Sequence, residues 1–362
     1  MDSLAYKPGA DAVLERLHRL YDRAAQDQIC ASFEIPCAAL DRFRQRYPHG
    51  YCDYPDPHDR LRFWDTLLKQ RSLVHDDSMP CAYLSEFDQG LYGGLLGGEV
   101  RFIAHPDNGW ISSMVAPLLE DWSQFDSLVI DRSHPWFQRY LRQLEIFHRG
   151  AAGKFGNSHF ILIDSLNFVF ELLGATRTYL SLFENPEAVR KAIEFAFQLN
   201  LTVQDAFFEN VPLFRGGTFS NMVQWMPGRI VSESVDPFHM TSLDYFEQWG
   251  RAPVQRMFDQ YDGGVLHLHG NGRHLIEAVC SLRNLKGLQL GDDRGFPPAI
   301  EMLPQLRARA GDLPLVVHAD HPTFLEKLNR HELPGGVFYK VQQAPDADTA
   351  NRLMDAVRAY RL

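Results

Sequence analysis

One stretch of the sequence is most informative about the fold: Gly264-Val265-Leu266-His267-Leu268-His269-Gly270-Asn271-Gly272. The apolar residues predict a buried strand, and the glycines that follow predict a turn that opens the backbone. Residues i and i+2 of a strand point to the same face, so His267 and His269 are predicted to aim together. Such a pair can bind a divalent metal or handle protons and anions. The alternative is structural: one imidazole bonds a backbone carbonyl, and the other is a polar strand end.

Strand-like and helix-like segments alternate on both sides of this stretch. We predict strands at 81–87, 159–166, 213–220, 229–236, 263–269, 286–291, 313–319 and 336–341. Helical spacing occurs at 11–29, 58–73, 186–209, 241–260, 272–283, 297–310, 322–331 and 345–360. This alternation, with a total near eight strands, predicts an α/β fold of the (β/α)8 TIM-barrel type. Two of the strands, 213–220 and 229–236, are too close for a crossover helix, so the barrel is irregular there or one of them is a loop.

The predicted organisation is one barrel domain with an N-terminal extension. Residues 1–79 are expected to form a helical extension packed on the barrel, and residues 80–362 the barrel itself. A homodimer is a further expectation.

Composition and charge exclude several classes of function. The chain has 362 residues, 45% hydrophobic and 23% charged, which is ordinary for a globular protein. The net charge of −10 argues against nucleic-acid binding, and the chain lacks the run of about 18 apolar residues that would predict a membrane span. The N-terminus lacks the pattern of a signal peptide. Five cysteines without a CxxC pair are typical of reduced thiols and predict a cytoplasmic protein.

Polar side chains gather where the predicted strands end. In a barrel of this type the active site lies at the carboxyl ends of the strands. Reading those ends in order gives Glu86, Asp88, Asp164, Asn167, Asn221, Glu233, Asp236, His267, His269, Gln289, Asp292, Asp293, His318, Asp320 and His321. Several of them could instead cap helices, as Asp292, Asp293 and Asp320 precede helical segments.

Two chemistries fit this ring. In the first, His267 and His269 bind a divalent metal, which we expect to be zinc, with His318 or Asp292 as the third ligand. Glu233 and Asp320 are other donors for that position, and donors of nitrogen and oxygen also suit iron, manganese or nickel. In the second, the histidines act without metal as acid and base, with Asp236 or Glu233 as partner.

Other side chains are candidates for substrate binding. Arg229 or Arg273 could hold a carboxylate, and Asp164 and Gln289 belong to the polar ring. Tryptophans usually pack, but Trp110 and Trp225 stand near glycines in predicted loops and could line a pocket. No GxSxG or GxxxxGK[ST] motif occurs in the sequence, so neither a hydrolase elbow nor a P-loop is predicted.

Several stretches resemble the uroporphyrinogen decarboxylase superfamily over roughly residues 80–345. Those that carry the resemblance are Trp110 through Trp136, Phe170-Glu171-Leu172-Leu173-Gly174 with Arg177, Asn185-Pro186-Glu187-Ala188-Val189, Asp236 to Phe246 (DPFHMTSLDYF), and Leu266 to Gly270 followed by Gln289. The resemblance implies a (β/α)8 barrel. It also implies one of two chemistries: a decarboxylase without cofactor, or a methyltransferase that moves methyl groups between a corrinoid protein and a thiol with zinc held by His and Cys.

The sequence departs from both patterns. The decarboxylases carry an N-terminal RQAGRY motif, whereas only Arg44-Gln45-Arg46-Tyr47 occurs here. In the methyltransferase pattern His267 matches the first zinc ligand, but His269 replaces a cysteine, and the last predicted strand, 336–341, has no cysteine. We therefore expect a metal-assisted methyltransferase that acts on a small methylated substrate or with a corrinoid protein. The alternatives are a cofactor-free carboxy-lyase acting on a carboxylated substrate and a barrel that only binds a ligand.

Overall fold

The structure, a computed structural model, describes residues 4–362 as a mixed α/β fold. Its strands are β1 Ile29–Phe33, β2 Tyr51–Cys52, β3 Cys81–Tyr83, β4 Arg101–His105, β5 Trp110–Met114, β6 Gly156–Ser158, β7 Gly217–Ser220, β8 Gln224–Pro227, β9 Ile230–Ser234, β10 Gly263–Leu268, β11 Leu285–Leu290, β12 Leu315–Asp320 and β13 Val337–Gln342. Its α-helices are α1 Ala10–Tyr21, α2 Ala38–Arg46, α3 Pro57–Arg71, α4 Asp88–Leu95, α5 Pro135–Ala151, α6 Ser165–Leu173, α7 Ala175–Glu184, α8 Pro186–Asn210, α9 Leu243–Tyr245, α10 Arg251–Gln260, α11 Ile276–Cys280, α12 Leu303–Ala310, α13 His321–Asn329 and α14 Ala347–Ala359.

Six parallel strands form the central sheet, in the order β1-β13-β12-β11-β10-β9. Because helices cover a parallel sheet, its strands read as nearly continuous apolar runs, and all five residues of β1 are buried. Five of the predicted strands, 229–236, 263–269, 286–291, 313–319 and 336–341, correspond to β9 through β13. The prediction of a parallel α/β fold is confirmed to this extent.

A second parallel pair lies next to this sheet. β3 pairs with β6, and the backbone N–H of Leu162, just after β6, donates to Ser232 O of β9 at 2.9 Å. On the other side, the N–H of Asp77 donates to Ala31 O of β1 at 2.9 Å. Complete closure into a (β/α)8 barrel stays a prediction.

The two closely spaced predicted strands, 213–220 and 229–236, correspond to part of a hairpin and to a strand of the central sheet. β7 pairs antiparallel with β8, and β9 then joins the main sheet. The predicted strand 213–220 is therefore a hairpin strand over its last four residues. The predicted strand 159–166 is wrong in its bounds, since the strand is β6 and helix α6 begins at Ser165.

The N-terminal segment contributes a strand that the sequence did not predict. Helix α1 ends at Tyr21, and β1 then pairs with β13 at the edge of the sheet. The description of residues 1–79 as a helical extension is therefore incomplete, while the domain boundary itself stays a prediction. A five-residue apolar run is too short for periodicity to distinguish strand from helix.

The two faces of the central sheet pack against different parts of the protein, and this difference determines where the polar residues of the candidate site lie. One face carries Ile230, Val265, Val316 and Phe338, which pack with α1 and the β7–β8 hairpin in a separate apolar cluster. Two residues further along the same face of β10 comes His267, so the chemistry changes from apolar to polar toward the carboxyl ends of the strands. The opposite face packs against the helices in the main core.

Among the described residues, no helix is long and apolar enough to cross a membrane.

Candidate active site

A cavity of about 550 Å³ opens near the carboxyl end of β10. Its wall combines polar and aromatic side chains: Gln89, Asn167, Phe170, Glu171, Tyr179, Asp236, His239, His269, Asn271, Asp293, Arg294 and Phe296. Pockets that mix apolar surface with a few convergent polar groups are the usual form of a small-molecule site. This cavity is therefore the candidate active site.

His269 is held in place by carboxylates. Its Nδ1 lies 2.8 Å from Asp293 Oδ1, and the second oxygen of Asp293 accepts the backbone N–H of Gly270. On the other side, Nε2 lies 3.9 Å from Asp236 Oδ1. An imidazole that is hydrogen-bonded to a carboxylate through one nitrogen has its tautomer and orientation fixed, which leaves the other nitrogen for chemistry.

His267 and His269 lie on the same face of the strand, with their rings 4.4 Å apart. His267 is nevertheless set back from the cavity wall, which leaves His269 as the member of the pair that lines it. Burial, followed by the nearby His269, lowers the pKa of His267 to about 4. His267 is therefore neutral at physiological pH.

A third imidazole, His239, completes the group and lies in the turn after β9. Its ring is 5.6 Å from that of His269, and its Nδ1 is 3.7 Å from Asp236 Oδ1. Burial, followed by the neighbouring histidines, lowers its pKa to about 3. His239 was not among the residues predicted from the sequence, although it lies three residues after Asp236 in the stretch from Asp236 to Phe246.

Replacing Gly272 by alanine is expected to disturb His239. A Cβ at position 272 would overlap the imidazole of His239, so the ring would have to move. Overpacking of this kind costs about 1–3 kcal/mol of stability, and we expect a comparable fall in the free energy of unfolding measured in urea. Gly9→Ala is the matched control, because no atom lies within 4 Å of a Cβ at that position. An equal effect of the two substitutions would contradict the assigned packing.

A polar chain links His267 to the next strands of the sheet. Gln289 Nε2 lies 3.3 Å from His318 Nε2, and Gln342 Nε2 lies 3.4 Å from His318 Nδ1. Gln289 is also level with His267 in the β10–β11 register. Burial, followed by Lys340, lowers the pKa of His318 to about 3. Gln289 and His318 thus belong to a partly buried hydrogen-bonded chain, and neither lines the cavity.

The predicted catalytic residue Glu233 lies on the other face of the sheet. The register pairs Glu233 with Leu266 and Ser234 with His267, so alternation directs Glu233 away from the histidines. It is fully buried and interacts with Asp164, the predicted substrate-binding residue. Burial, followed by Asp164, raises the pKa of Glu233, and burial raises that of Asp164 to about 7.

This carboxyl pair should make stability depend on pH. A carboxyl whose pKa is raised by folding binds its proton more tightly in the folded protein, so its contribution to stability is lost as pH rises from about 4 through about 7. The loss is about 1.4 kcal/mol per pH unit for one such group. We expect Glu233→Gln to weaken this dependence, as measured by urea unfolding at about pH 5 and about pH 8. Equal pH dependence in both proteins would show that Glu233 does not contribute to it.

Three other predicted binding residues lie away from the cavity. Arg229 is exposed at the amino end of β9, 3.8 Å from Asp262, which is the end of the strand opposite to the site. Trp225 is fully buried in the hairpin cluster, where its Nε1 donates to Phe214 O at 2.9 Å. Trp110 packs edge-on against Tyr83 with ring centroids 4.8 Å apart. The structural interpretation of the tryptophans fits these contacts.

The predicted metal ligands are not gathered around one point. Asp292 pairs with Arg273 at 3.3 Å and accepts the backbone N–H of Ala299 at 2.6 Å. His318 stands behind Gln289. Over residues 4–362, no group of three or more His, Cys, Asp or Glu side chains is arranged to hold a metal ion. The residues present therefore do not fit the proposed zinc site, and the metal stays an untested prediction.

Comparison with known proteins identifies a similar fold and no family. No model of a known protein family matches the chain, and no curated protein matches its sequence. Among solved structures the chain is similar to a methyltransferase from Methanosarcina mazei, with a TM-score of 0.60 and 12% sequence identity over 99% of each chain. At this identity the likeness shows the fold alone. The resemblance to the uroporphyrinogen decarboxylase superfamily stays a prediction.

Proposed function

We propose that this chain is an enzyme that transfers the methyl group of a small methylated substrate to a nucleophilic acceptor. The observation that carries the proposal is the placement of His269 in the cavity wall, between Asp293 and Asp236. The likeness in fold to a methyltransferase is consistent with the same chemistry. We further propose that the acceptor is a reduced corrinoid carried by a partner protein.

His269 would act as the acid that assists the leaving atom. The Asp293 carboxylate only accepts hydrogen bonds, so Nδ1 carries a proton and Nε2 is the nitrogen that can exchange one. When the methyl carbon bonds to the acceptor, the acceptor supplies both electrons, and the leaving oxygen, sulfur or nitrogen keeps the pair of the broken bond. A proton from Nε2 would neutralise that pair, which is general acid catalysis. Asp236 would stabilise the protonated imidazole.

The test follows methyl transfer from simple probes to free reduced cobalamin. The full chain is incubated with a methyl ether, a methyl thioether and a methylated ammonium compound, and methylcobalamin is detected by its absorbance. We expect transfer from at least one probe and its loss in a His269→Gln variant, with His75→Gln, an exposed histidine, as the control. Elemental analysis of the same preparation tests the metal prediction separately. A folded protein that transfers from none of the three would contradict the proposal.

One observation favours a second candidate, a carboxy-lyase. Glu171 lines the cavity, and burial, followed by Asp88, raises its pKa to about 8, so it carries a proton at neutral pH. Such an acid could protonate the carbanion left when carbon dioxide departs, while Arg294 in the same wall could hold a second carboxylate. Arg273 is less suited, since its guanidinium donates to Pro297 O at 2.6 Å. Release of carbon dioxide without methyl transfer would favour this candidate.

A further inference from the structure

Four buried polar atoms in the cavity wall lack a hydrogen-bond partner among residues 4–362. They are Glu171 Oε1, Asp236 Oδ1, His239 Nε2 and Asn271 Oδ1. Three are oxygens that accept hydrogen bonds. The fourth belongs to an imidazole whose side chain is 2% exposed. A buried acceptor without a partner costs free energy, so a wall of this kind favours a ligand that brings donors or positive charge.

Aromatic rings form another part of the same wall. Phe170, Tyr179 and Phe296 line the cavity, and the rings of Phe170 and Tyr179 lie 5.5 Å apart at a steep angle. The Tyr179 hydroxyl already donates to Pro237 O at 2.7 Å. Its ring is then the part left to contact a ligand. Aromatic faces attract cations, and methylated ammonium groups are the usual ligands of aromatic pockets.

The charges of the wall agree with the aromatic rings. Its carboxyl groups belong to Glu171, Asp236 and Asp293, whereas Arg294 is its one Lys or Arg side chain in the described structure. Arg294 is exposed, so water and salt screen its charge. Glu171 and Asp236 are only partly exposed, and their Oε1 and Oδ1 atoms are buried, so the negative charge of either group is screened less when the group is ionised.

We propose that the cavity binds a methylated ammonium cation, with Asp236 and Glu171 as its anionic partners and Tyr179, Phe170 and Phe296 as its aromatic contacts. This substrate class rests on the proposed function, since the methyl group to be transferred would be one of those on the nitrogen. In the transfer the N–CH3 bond breaks, and its electron pair stays on the released amine. A reduced corrinoid held by the partner protein would supply the electron pair for the new bond to carbon. The neutral amine can then take the proton of His269.

The first experiment measures binding by calorimetry with matched ligands. Choline is compared with 3,3-dimethylbutan-1-ol, which has the same shape without the charge, and with 3,3-dimethylbutanoate, which is an anion. We expect choline to bind the full chain at least about 10-fold more tightly than the neutral alcohol, because the aromatic rings attract the cation and the carboxylates add to that attraction. Equal affinity of choline and the alcohol, or tighter binding of the anion, would overturn the proposal.

Substitutions in the cavity wall test which side chains cause the preference for choline over the neutral alcohol. Asp236→Asn and Glu171→Gln keep the size of the side chain and remove its ability to ionise. Each should reduce the preference for choline by several-fold, in the case of Glu171→Gln at about pH 9, where Glu171 is ionised. Glu301→Gln, at an exposed position outside the cavity wall, changes net charge equally and should leave the preference intact. A preference that survives both cavity substitutions would contradict the assignment of these partners, even in a variant that has lost stability, since choline and the alcohol are compared in the same protein.

The pH profile of binding gives an independent readout. The pKa of Glu171 is raised to about 8, so below that pH the group is neutral. A permanent cation favours the ionised form, and choline affinity should therefore rise between about pH 6.5 and about pH 9 in the native protein and less in Glu171→Gln. Asp88 from α4 acts on Glu171 electrostatically, and the other titratable or charged groups of the same cavity wall are Tyr179, Asp236, His239, His269, Asp293 and Arg294. A profile unchanged by Glu171→Gln would count against the contact.

The outcomes separate this inference from the proposed function. Methyl transfer from an ether or thioether, without a preference for choline, would refute the ammonium substrate and leave the methyltransferase standing. A clear preference for choline, without methyl transfer from any probe, would support the ligand class and refute the reaction.

Discussion

Replacing His269 by glutamine is expected to lower the rate of methyl transfer by about 10²–10⁴-fold, the usual contribution of a positioned acid or base. Glutamine can still form a hydrogen bond toward Asp293, but it cannot donate a proton to the leaving atom. The loss should therefore appear in kcat, measured as methylcobalamin formation at saturating substrate. Circular dichroism and urea unfolding establish that the variant is folded.

Asp293→Asn provides the companion measurement. An amide can donate toward Nδ1, so the imidazole would be free to take the other tautomer and would lose the charge that stabilises its protonated form. We expect a smaller fall than in His269→Gln and a shift of the pH–rate profile. Full activity in both variants would contradict the role of His269 and would require a different acid in the cavity.

The second large effect concerns Trp225 and is an effect on stability. Trp225 is fully buried, its indole N–H donates to Phe214 O, and its ring packs against the backbone of Gly217. Trp225→Ala should therefore lower the free energy of unfolding by about 3–5 kcal/mol, the usual cost of removing a large buried aromatic side chain. The measurement is urea unfolding followed by circular dichroism.

The same variant distinguishes packing from substrate binding. If Trp225 only fills the cluster below the site, the protein that remains folded should bind choline as the native chain does. A Trp225→Ala protein of native stability that has lost ligand binding would instead favour the role expected from sequence. Trp110, which is half-buried, should show a smaller loss of stability when replaced by alanine.

Most strands of the central sheet could be predicted from the sequence. β10 through β13 are six-residue, mainly apolar runs between helical segments, so pattern alone identifies them. β1 was not predicted although it is as long as β9, and its partner β13 lies more than 300 residues further along the chain. β6 has only three residues, and its partner β3 lies more than 70 residues earlier. The helix that begins at Ser165 likewise follows an apolar stretch that fits a strand equally well.

The sequence predicted those features of the candidate site that depend only on the geometry of a single strand. The period of two places His267 and His269 on one face whatever the surroundings, and their rings are in contact. To compare side chains of β9 with those of β10, one also needs the register of the two strands, which the sequence does not supply. Without the register, Glu233 was predicted to be a partner of the histidines, although it lies on the opposite face of the sheet.

By itself the sequence determined which residues are chemically able to form a site and that parallel strands would carry them, because residue type and hydrophobic period are local properties. Only the tertiary structure decided that Asp293 orients His269, that His239 joins it, and that Asp292 is occupied by Arg273. It also set Glu171 in the cavity wall and Arg229 at the far end of its strand. The physical reason is that these contacts join segments distant in the chain, whose meeting depends on strand register and on the packing of helices around the sheet.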